Sequence, residues 1–512
     1  MRSISKTANS SEYRGQARMC NPLLLIVLGL IIPATACLVG PNYRRPSAPV
    51  PSLYKELPPP NPPAANQWKE AQPSDQAIRG KWWELYNDAQ LSTLAEQINI
   101  SNQNILAAEA QFRAARDAMR IARSNLFPVV GAGLSVTNSR TPAGTAATST
   151  SASTAGSVAS RTSYDLNTDF SYQADLWGSI RRQVSASART AQASFAQLEN
   201  ARLTSQATLV QAYFELHGVD AEQQLLERTV ASYQDYLQLT KDRFDAGVAS
   251  GVDVAQAQTQ LSSTQAQLID LGVARAQFEH AIAVLTGKPP AEVTIPRGPI
   301  TAQLPTIPVA VPSTLLERRP DIASAERLMA AANEQIGIAK AAYYPNVTLS
   351  ASAGLQSTDA TQWFSWPSRF WSVGPQMLET VFSGGRRRAQ VDQARALYEA
   401  DVAGYRQTVL TAFQQVEDNL AALRLLSDEA NAADQTVRAA QQSLEISTYQ
   451  YKAGTASYLQ VITAQTAALQ AQITAINILT RRLTTSALLI EALGGGWDAS
   501  TLPTPKQLVT GK

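Results

Sequence analysis

The sequence predicts a mainly helical chain that also carries membrane β-strands and is built from one duplicated unit. Three observations predict it. Landmark residues recur 207 or 217 positions apart. Two stretches hold a sustained 3–4 apolar register far longer than a globular helix. Short segments of strict apolar–polar alternation stand before each of those stretches.

Composition sets the outer bounds. The chain has 512 residues, 45% hydrophobic and only 16% charged, against a usual charged share of ~25%. A disordered chain would show the opposite balance. Lys and Arg number 43 against 41 Asp and Glu. The leader carries Arg2, Lys6, Arg14 and Arg18 against Glu12, so the rest holds 39 basic and 40 acidic residues, net −1. A near-neutral body has no electrostatic footprint for nucleic acid. Two cysteines and two histidines exclude a disulfide framework and a Cys/His zinc site. No cofactor motif is present.

The first element is a leader. Residues 1–19 are polar and basic, and Leu23 to Ile32 is an apolar run broken only by Gly29. Pro33-Ala34-Thr35-Ala36 then precedes Cys37. This order describes a secretory signal. The run is too short for a transmembrane helix of ~20 residues, and Pro33 argues against a buried N-terminal helix. The box resembles that of bacterial lipoproteins, with Ala34 where Leu is usual. On that resemblance 1–36 is a lipoprotein signal peptide and Cys37 is the acylated N-terminus. Leu38, not Asp, follows it, which implies sorting to the outer membrane. Residues 37–80 then form an extended, proline-rich arm.

Duplication organises the rest. Phe244-Asp245-Ala246-Gly247-Val248-Ala249-Ser250 recurs as Tyr451-Lys452-Ala453-Gly454-Thr455-Ala456-Ser457, 207 residues on. Gly178-x-x-Arg181-x-x-Val184 recurs as Gly385-x-x-Arg388-x-x-Val391 at the same offset. Ala122 to Pro128 matches Ala339 to Pro345 at 217. Three landmarks in one order mark a domain-sized repeat. The copies fall at 81–290 and 313–497, joined by a proline-rich linker at 291–312 and followed by a tail at 498–512. Within each copy the order is helix, strand, strand, long helix, tip, long helix.

Val184, Ala188, Ala191, Leu198, Leu209, Leu216, Leu226, Tyr233, Leu237 and Phe244 follow one 3–4 register; Arg202, Ser205, Gln223 and Thr240 interrupt it. Val391, Tyr405, Val409, Val416, Leu423, Val437, Leu444 and Tyr451 keep it in the second copy. Such a period means coiled-coil-like packing. From Gly178 to Phe244 such a helix is ~100 Å long. Gly247 and Gly454 stop the helices. Return helices are expected over Val252–Leu285 and Tyr458–Leu493.

The strands separate this chain from a plain coiled coil. Val130, Ala132, Leu134 and Val136 alternate with glycine, serine and threonine. Tyr164, Leu166, Phe170, Tyr172 and Leu176 alternate with Asp165, Asn167, Asp169, Gln173 and Asp175. Val347 to Leu355 alternates in the same way. The lengths suit tilted transmembrane strands. A fourth strand, about Phe370 to Phe382, contains Gly374-Pro375, which predicts a bulge or a strand end. Residues 140–161 read as an exposed low-complexity loop. Trp363, Phe364, Trp366, Phe370 and Trp371 suit a membrane–water girdle. A soluble sandwich is the rival, disfavoured by three Asp in one strand with no further strands to cover the apolar face. Four strands cannot close a membrane barrel, and an open edge in lipid leaves backbone groups unpaired. Closure therefore needs strands from other chains; three copies give twelve, and two would also satisfy the pattern.

At this point the chain resembles the outer-membrane efflux protein family, of the TolC, OprM and NodT type. The residues that carry this are Cys37 with V-G-P-N-Y at 39–43, D-L-W-G at 175–178 with Arg181, and F-x-A-G at 244–247. E-R-R-P-D-I at 317–322, A-x-Y-Y-P at 341–345, F-S-G-G-R at 382–386, Y-x-A-G at 451–454 and A-L-G-G-G-W at 492–497 complete them. The resemblance implies a homotrimer with a twelve-stranded barrel in the outer membrane and a helical periplasmic barrel. It implies a passive exit duct for small amphiphilic compounds. Its partners would be a periplasmic adaptor protein, an inner-membrane pump of the resistance-nodulation-division type or similar, and outer-membrane lipid. The chain would be lipid-anchored and would not be an enzyme.

Site residues follow from the same resemblance. Asp165, Asp169 and Asp175 would line the lumen. Gly178, Arg181, Gly385 and Arg388 would form strand-to-helix turns. Gly247, Val248, Ala249 and Ser250, with Gly454, Thr455, Ala456 and Ser457, would be adaptor-contacting tips. Asp253 and Tyr451 match positions that lock neighbouring helices, and Ala456 stands where some members carry an Arg partner. Gln460 and Thr463 take positions where members place ring-forming Asp, and Leu459 matches an apolar constriction. The expected gate is thus apolar and neutral, not ionic. The plainer reading has all five gate residues simply packing helices. Rival functions are a protein-secretion channel and a non-pore periplasmic scaffold lipoprotein. His217 and His280 read as ordinary surface or packing histidines, Asn346-Val347-Thr348 as a chance glycosylation triplet, and Arg386-Arg387-Arg388 as a solvated or loop-capping cluster at a helix start.

Overall fold

In a computed structural model the described residues are 38–51, 54–56, 80–140, 160–305, 307 and 314–510. The leader, Cys37 and residues 141–159 lie outside them. The chain divides into two compact units.

The first unit comprises Met1–Gly40, Leu126–Arg181 and Lys340–Ser383. It holds β1 (Val129–Arg140), β2 (Ser160–Ala174), β3 (Asn346–Ser357) and β4 (Arg369–Leu378). They form one antiparallel sheet in the order β1-β2-β3-β4. Pairing partners share a face, so the register tests the alternation. Val130, Phe170, Ala351 and Val373 fall in one row, and Leu134, Leu166 and Leu355 in another. Gly131, Asp169 and Ser352 fall in a row between them. The sheet is therefore two-faced, as the period-two pattern requires. Val130, Leu134, Val136, Trp371, Val373 and Met377 on the apolar face are exposed. A soluble single chain does not carry such a patch without a partner surface.

Two strand expectations are corrected. β4 has no bulge: its pairing runs unbroken from Asn346–Leu378 through Leu349–Pro375 to Leu355–Arg369. Within this chain's own sheet β4 is an edge strand, a position where proline is tolerated. It ends at Leu378, short of Phe382. β2 ends at Ala174, so Asp175 and Leu176 are not strand residues.

The second unit comprises Pro41–Asn125, Arg182–Ala339 and Gly384–Lys512. The principal helices are α1 (Ala89–Ser101), α2 (Gln103–Ser124), α3 (Ser179–Asp245), α4 (Gly251–Leu285), α5 (Pro320–Ala341), α6 (Arg386–Lys452), α7 (Tyr458–Ala492) and α8 (Pro505–Thr510). α3 begins in the first unit and α6 in the second. α3 and α6 are 67 residues each, about 100 Å at 1.5 Å per residue. α4 and α7 are 35 residues each. The starts of α6 and α7 follow those of α3 and α4 by 207 residues, and α5 and β3 follow α2 and β1 by 217. Duplication thus extends to element lengths.

Ser205, Gln223 and Thr240 interrupt the apolar register yet are buried. The packing face of α3 continues through them; only its chemistry changes. Three larger apolar clusters of described residues hold the unit, beside a smaller one of Met119, Ala188, Ala191 and Leu508. Trp82, Trp83 and Tyr86 pack with Leu209 and Phe214. Tyr54 of the N-terminal arm packs with Ile322, Tyr405 and Val416. Tyr233, Leu237, Leu261, Tyr451, Tyr458 and Val461 form the third.

One joint repeats with different residues. Asn102 Nδ2 donates to Leu285 O at 2.8 Å, and Arg319 Nη1 donates to Ala492 O at 3.0 Å. The acceptors end the two return helices, and the donors precede α2 and α5. A Cβ on Gly287 would meet Ser101 O at 2.1 Å, and one on Gly494 would meet Arg318 O at 2.1 Å. Both glycines have positive φ, so nothing larger fits either joint.

Candidate functional site

The polar face of the sheet supplies the first set of functional side chains. Asp169 accepts from Ser352 Oγ at 2.7 Å across the β2–β3 pair, and from Asn167 on its own strand. Asp165 accepts from Ser163 Oγ at 2.8 Å. The apolar rows lie on the opposite face. Two carboxylates on a polar strand row favour cations in whatever aqueous space that face lines.

Asp175 does not join them. It accepts from the backbone N–H of Ile180 at 3.1 Å and of Arg181 at 2.9 Å, and from Arg181 Nε at 3.0 Å. It caps the entry to α3, where Gly178 turns the chain at φ +79°. This corrects the placing of Asp175 in the polar strand row, and the reason is local: free N–H groups at a helix start attract a carboxylate. The second copy lacks the clamp. Phe382 stands 207 residues after Asp175. Gly385 caps α6 at φ +84° with no side-chain hydrogen bond, and Arg388 is exposed, 3.9 Å from Asp392.

The tips form the second set. Gly247 and Gly454 adopt φ +73° and +78°. Gly247 N donates to Phe244 O at 2.9 Å, and Val248 N to Arg243 O at 2.9 Å. Gly454 N donates to Tyr451 O at 3.0 Å, and Thr455 N to Gln450 O at 2.9 Å. Both tips are Schellman stops, which explains the duplicated x-A-G sequence. Ala249 N also donates to Arg243 O. Ala456 is half-buried, whereas Val248 and Thr455 are exposed.

The restarts differ. Ser250 and Asp253 close a reciprocal capping box at the head of α4. Ser457 occupies the same position before α7 and makes no side-chain cap. Gln460 is the residue 207 positions after Asp253, so these two candidate gate residues are duplicated counterparts. Tyr451 is buried, with its ring 5.4 Å from that of Tyr458 and under the Arg243 guanidinium at 4.7 Å. Leu459, Gln460 and Thr463 are exposed on α7. The structure thus separates the five gate residues: Tyr451 packs, Asp253 caps, and three are exposed in the single chain.

Two polar clusters escaped sequence reasoning. Arg319 is more than a recognition residue. It forms a two-pronged pair with Asp321 at 3.0 and 2.6 Å and donates to Gln415 at 2.8 Å. His217 is buried and reaches Asp220 at 3.3 Å and Gly298 O at 3.2 Å. Arg275 Nε donates to Asp220 at 2.7 Å. Burial opposes the Asp220 charge, but hydrogen bonds from His217, Arg275 and Gly298 and the Arg275 charge outweigh it, and its pKa is lowered. Only the fold brings residue 298 back to α3. No described helix is long and apolar enough to cross a membrane. No group of three or more His, Cys, Asp and Glu able to hold a metal occurs among the described residues.

Comparison with known proteins decides the family. The profile of the outer membrane efflux protein family matches residues 94–288 and 311–495, one match per copy. The chain belongs to the outer membrane efflux protein family. Among its relatives is a probable efflux pump outer membrane protein, TtgC of Pseudomonas putida. It is 31% identical over 467 residues, covering 91% of this chain and 94% of TtgC. Outer membrane protein OprJ of Pseudomonas aeruginosa is 31% identical over 480 residues, covering 92% and 96%. Of solved structures, the outer-membrane channel OprN aligns with a TM-score of 0.79 at 29% identity, covering 90% of this chain and all of OprN. This efflux protein is accordingly an outer-membrane channel component of an efflux system. Its fold is mainly helical with four membrane strands per chain.

Proposed function

We propose that the chain assembles as a homotrimer whose twelve strands close one outer-membrane barrel, and that it passively conducts small amphiphilic compounds outward. The single observation that carries this is the two-faced sheet with edge strands β1 and β4. Its apolar rows suit lipid, its Asp165/Asp169 face suits water, and its edges require strands from other copies. The names of relatives, which include toluene and antibiotic efflux, support small amphiphilic cargo. The partners are a periplasmic adaptor at tips 247–250 and 454–457 and an inner-membrane pump of the resistance-nodulation-division type. Cys37 is the lipid-bearing residue. No catalytic step is assigned.

At rest the gate is closed by packing around Leu459 and by neutral hydrogen bonds, with Gln460 and Thr463 in place of an acidic ring. Native mass measurement in detergent checks the assembly; three chains are expected. Planar-bilayer recordings check the channel, and a stable folded monomer that conducts ions would contradict the trimer. A secretion duct is separated from this reading by export assays with drug-sized compounds against a folded protein cargo.

A further inference from the structure

We propose that the β3–β4 loop builds a binding site for a phosphorylated lipid of the outer leaflet, with Arg369 as counterion and Trp366, Trp363 and Phe364 as its aromatic shelf. This rests on the channel reading and names one lipid contact within it.

The placement comes from the register. Arg369 pairs with Leu355, which pairs with Leu166, which pairs with Leu134. Arg369 therefore leaves the sheet on its apolar face. The loop folds onto that same face. Trp363 packs on Tyr164 with ring centroids 5.4 Å apart, and Phe364 lies 5.0 Å from Trp363. Tyr164 shares its row with Val136 and Ser357, both on the apolar side. Trp363 Nε1 donates to Leu355 O at 3.3 Å, fixing the ring. The Arg369 guanidinium lies over the Trp366 ring, and its Nε donates to Trp366 O at 3.2 Å.

The shelf is ordered yet unused. Phe364 is 71% and Trp366 78% exposed, although Ser368 Oγ donates to Gln362 O at 2.7 Å and Asp359 accepts from Thr361 N at 2.9 Å. A loop held by its own hydrogen bonds does not need exposed indole and phenyl rings. Rings with an arginine at one level suit the headgroup boundary of a bilayer.

Charge and height agree. The carboxylates of β2, Asp165 and Asp169, sit on the other face, and no ion pair to Arg369 occurs among the described residues. From the Leu355–Arg369 pair down to the Val347–Met377 pair is eight residues. At ~3.4 Å per residue and a tilt of ~40°, that is about 20 Å of height, near the ~25 Å apolar band of such barrels. Arg369 thus stands at the band's upper edge, where anionic headgroups begin. Guanidinium with its planar donors suits phosphate. The first hairpin's loop sequence, residues 141–159, is rich in Ser, Thr, Ala and Gly and contains no aromatic residue.

The full-length protein in detergent micelles is titrated with diphosphoryl lipid A and with the same lipid after phosphatase treatment, and bound lipid is counted by native mass spectrometry. Wild type is expected to retain the phosphorylated lipid in preference to the dephosphorylated one. Arg369→Gln should cut that retention about fivefold, the effect of losing one interfacial arginine, and Trp366→Ala should cut it for both lipids. Both residues are surface positions, so assembly should be unaffected, and the same spectra check it. Equal retention by wild type and Arg369→Gln, or no preference for the phosphorylated lipid, overturns the proposal. So does displacement of the lipid by millimolar inorganic phosphate, which would mean a bare anion site. Conductance of both proteins in phosphatidylcholine bilayers is recorded in parallel: its absence defeats the channel reading, whereas its presence with unchanged retention defeats only this one.

Discussion

Asp253 and Gln460 are counterparts in the duplicated tips, yet only Asp253 closes a capping box. Replacing it with Ala should destabilise the head of α4 by about 0.5–2 kcal/mol. Gln460→Ala should leave thermal stability near wild type. Leu459 is 58% exposed and contributes little to the fold of one chain, so Leu459→Ala should fold normally. If Leu459 closes the gate, its truncation raises resting bilayer conductance more than Asp253→Ala does. Tight block by divalent cations from the periplasmic side, abolished by changing Gln460 or Thr463, would reject the neutral gate. Asp220 adds a pH signature. Its folded pKa is depressed below an ordinary aspartate value of ~3.9. Its stabilisation is therefore complete above that ordinary value and is lost as pH falls through the lowered folded value. Asp220→Asn should flatten the acid limb of the stability profile below about pH 4 and lower stability at pH 7, as read by thermal melts.

At the scale of elements, the sheet's alternation makes opposite predictions for neighbouring positions. Leu349 lies in the row of Tyr172 and Pro375 on the apolar face. Leu349→Arg should cost roughly 2–4 kcal/mol if it meets lipid near the midplane. Ser350, on the other face beside Ser171 and Gly374, should accept arginine with a small effect. Heat-resistance of the assembled protein on semi-native gels reads both. Among the helices, the Arg319 joint should be the more sensitive: Arg319→Ala strands Asp321 and the Ala492 carbonyl together, a loss of several hydrogen bonds to a buried charge. Melting of the variant should begin at the ends of α5 and α7.

Across the whole molecule, two edge strands and an exposed apolar face make the isolated chain incomplete. The expected consequence is that folding and assembly are one event, with no stable monomer at dilution in detergent. The acylation proposed at Cys37 would be a second, separable tether. Cys37→Ser should abolish fatty-acid labelling while the barrel still holds the protein in the membrane, so export should fall without vanishing.

The sequence by itself determined the duplication, the helix lengths, the glycine stops and the two faces of the strands. Each depends on local periodicity or on a backbone angle that only glycine adopts readily. Asp175 shows where that reach ends. It continues the strand's alternation in sequence, but the N–H groups of Ile180 and Arg181 draw it into a helix cap. Pro375 likewise signals a break to any local rule, and only pairing partners show that it lies in an unbroken edge strand. Ser205, Gln223 and Thr240 look like gaps in a register and are buried in it. Arg319 and Asn102 share no chemistry that a repeat search would match, yet each donates to the carbonyl that ends a return helix. Tertiary structure decided these cases because burial and hydrogen-bond partners are properties of position in space, and residues 173 apart in sequence, such as Arg319 and Ala492, acquire them only when the chain is folded.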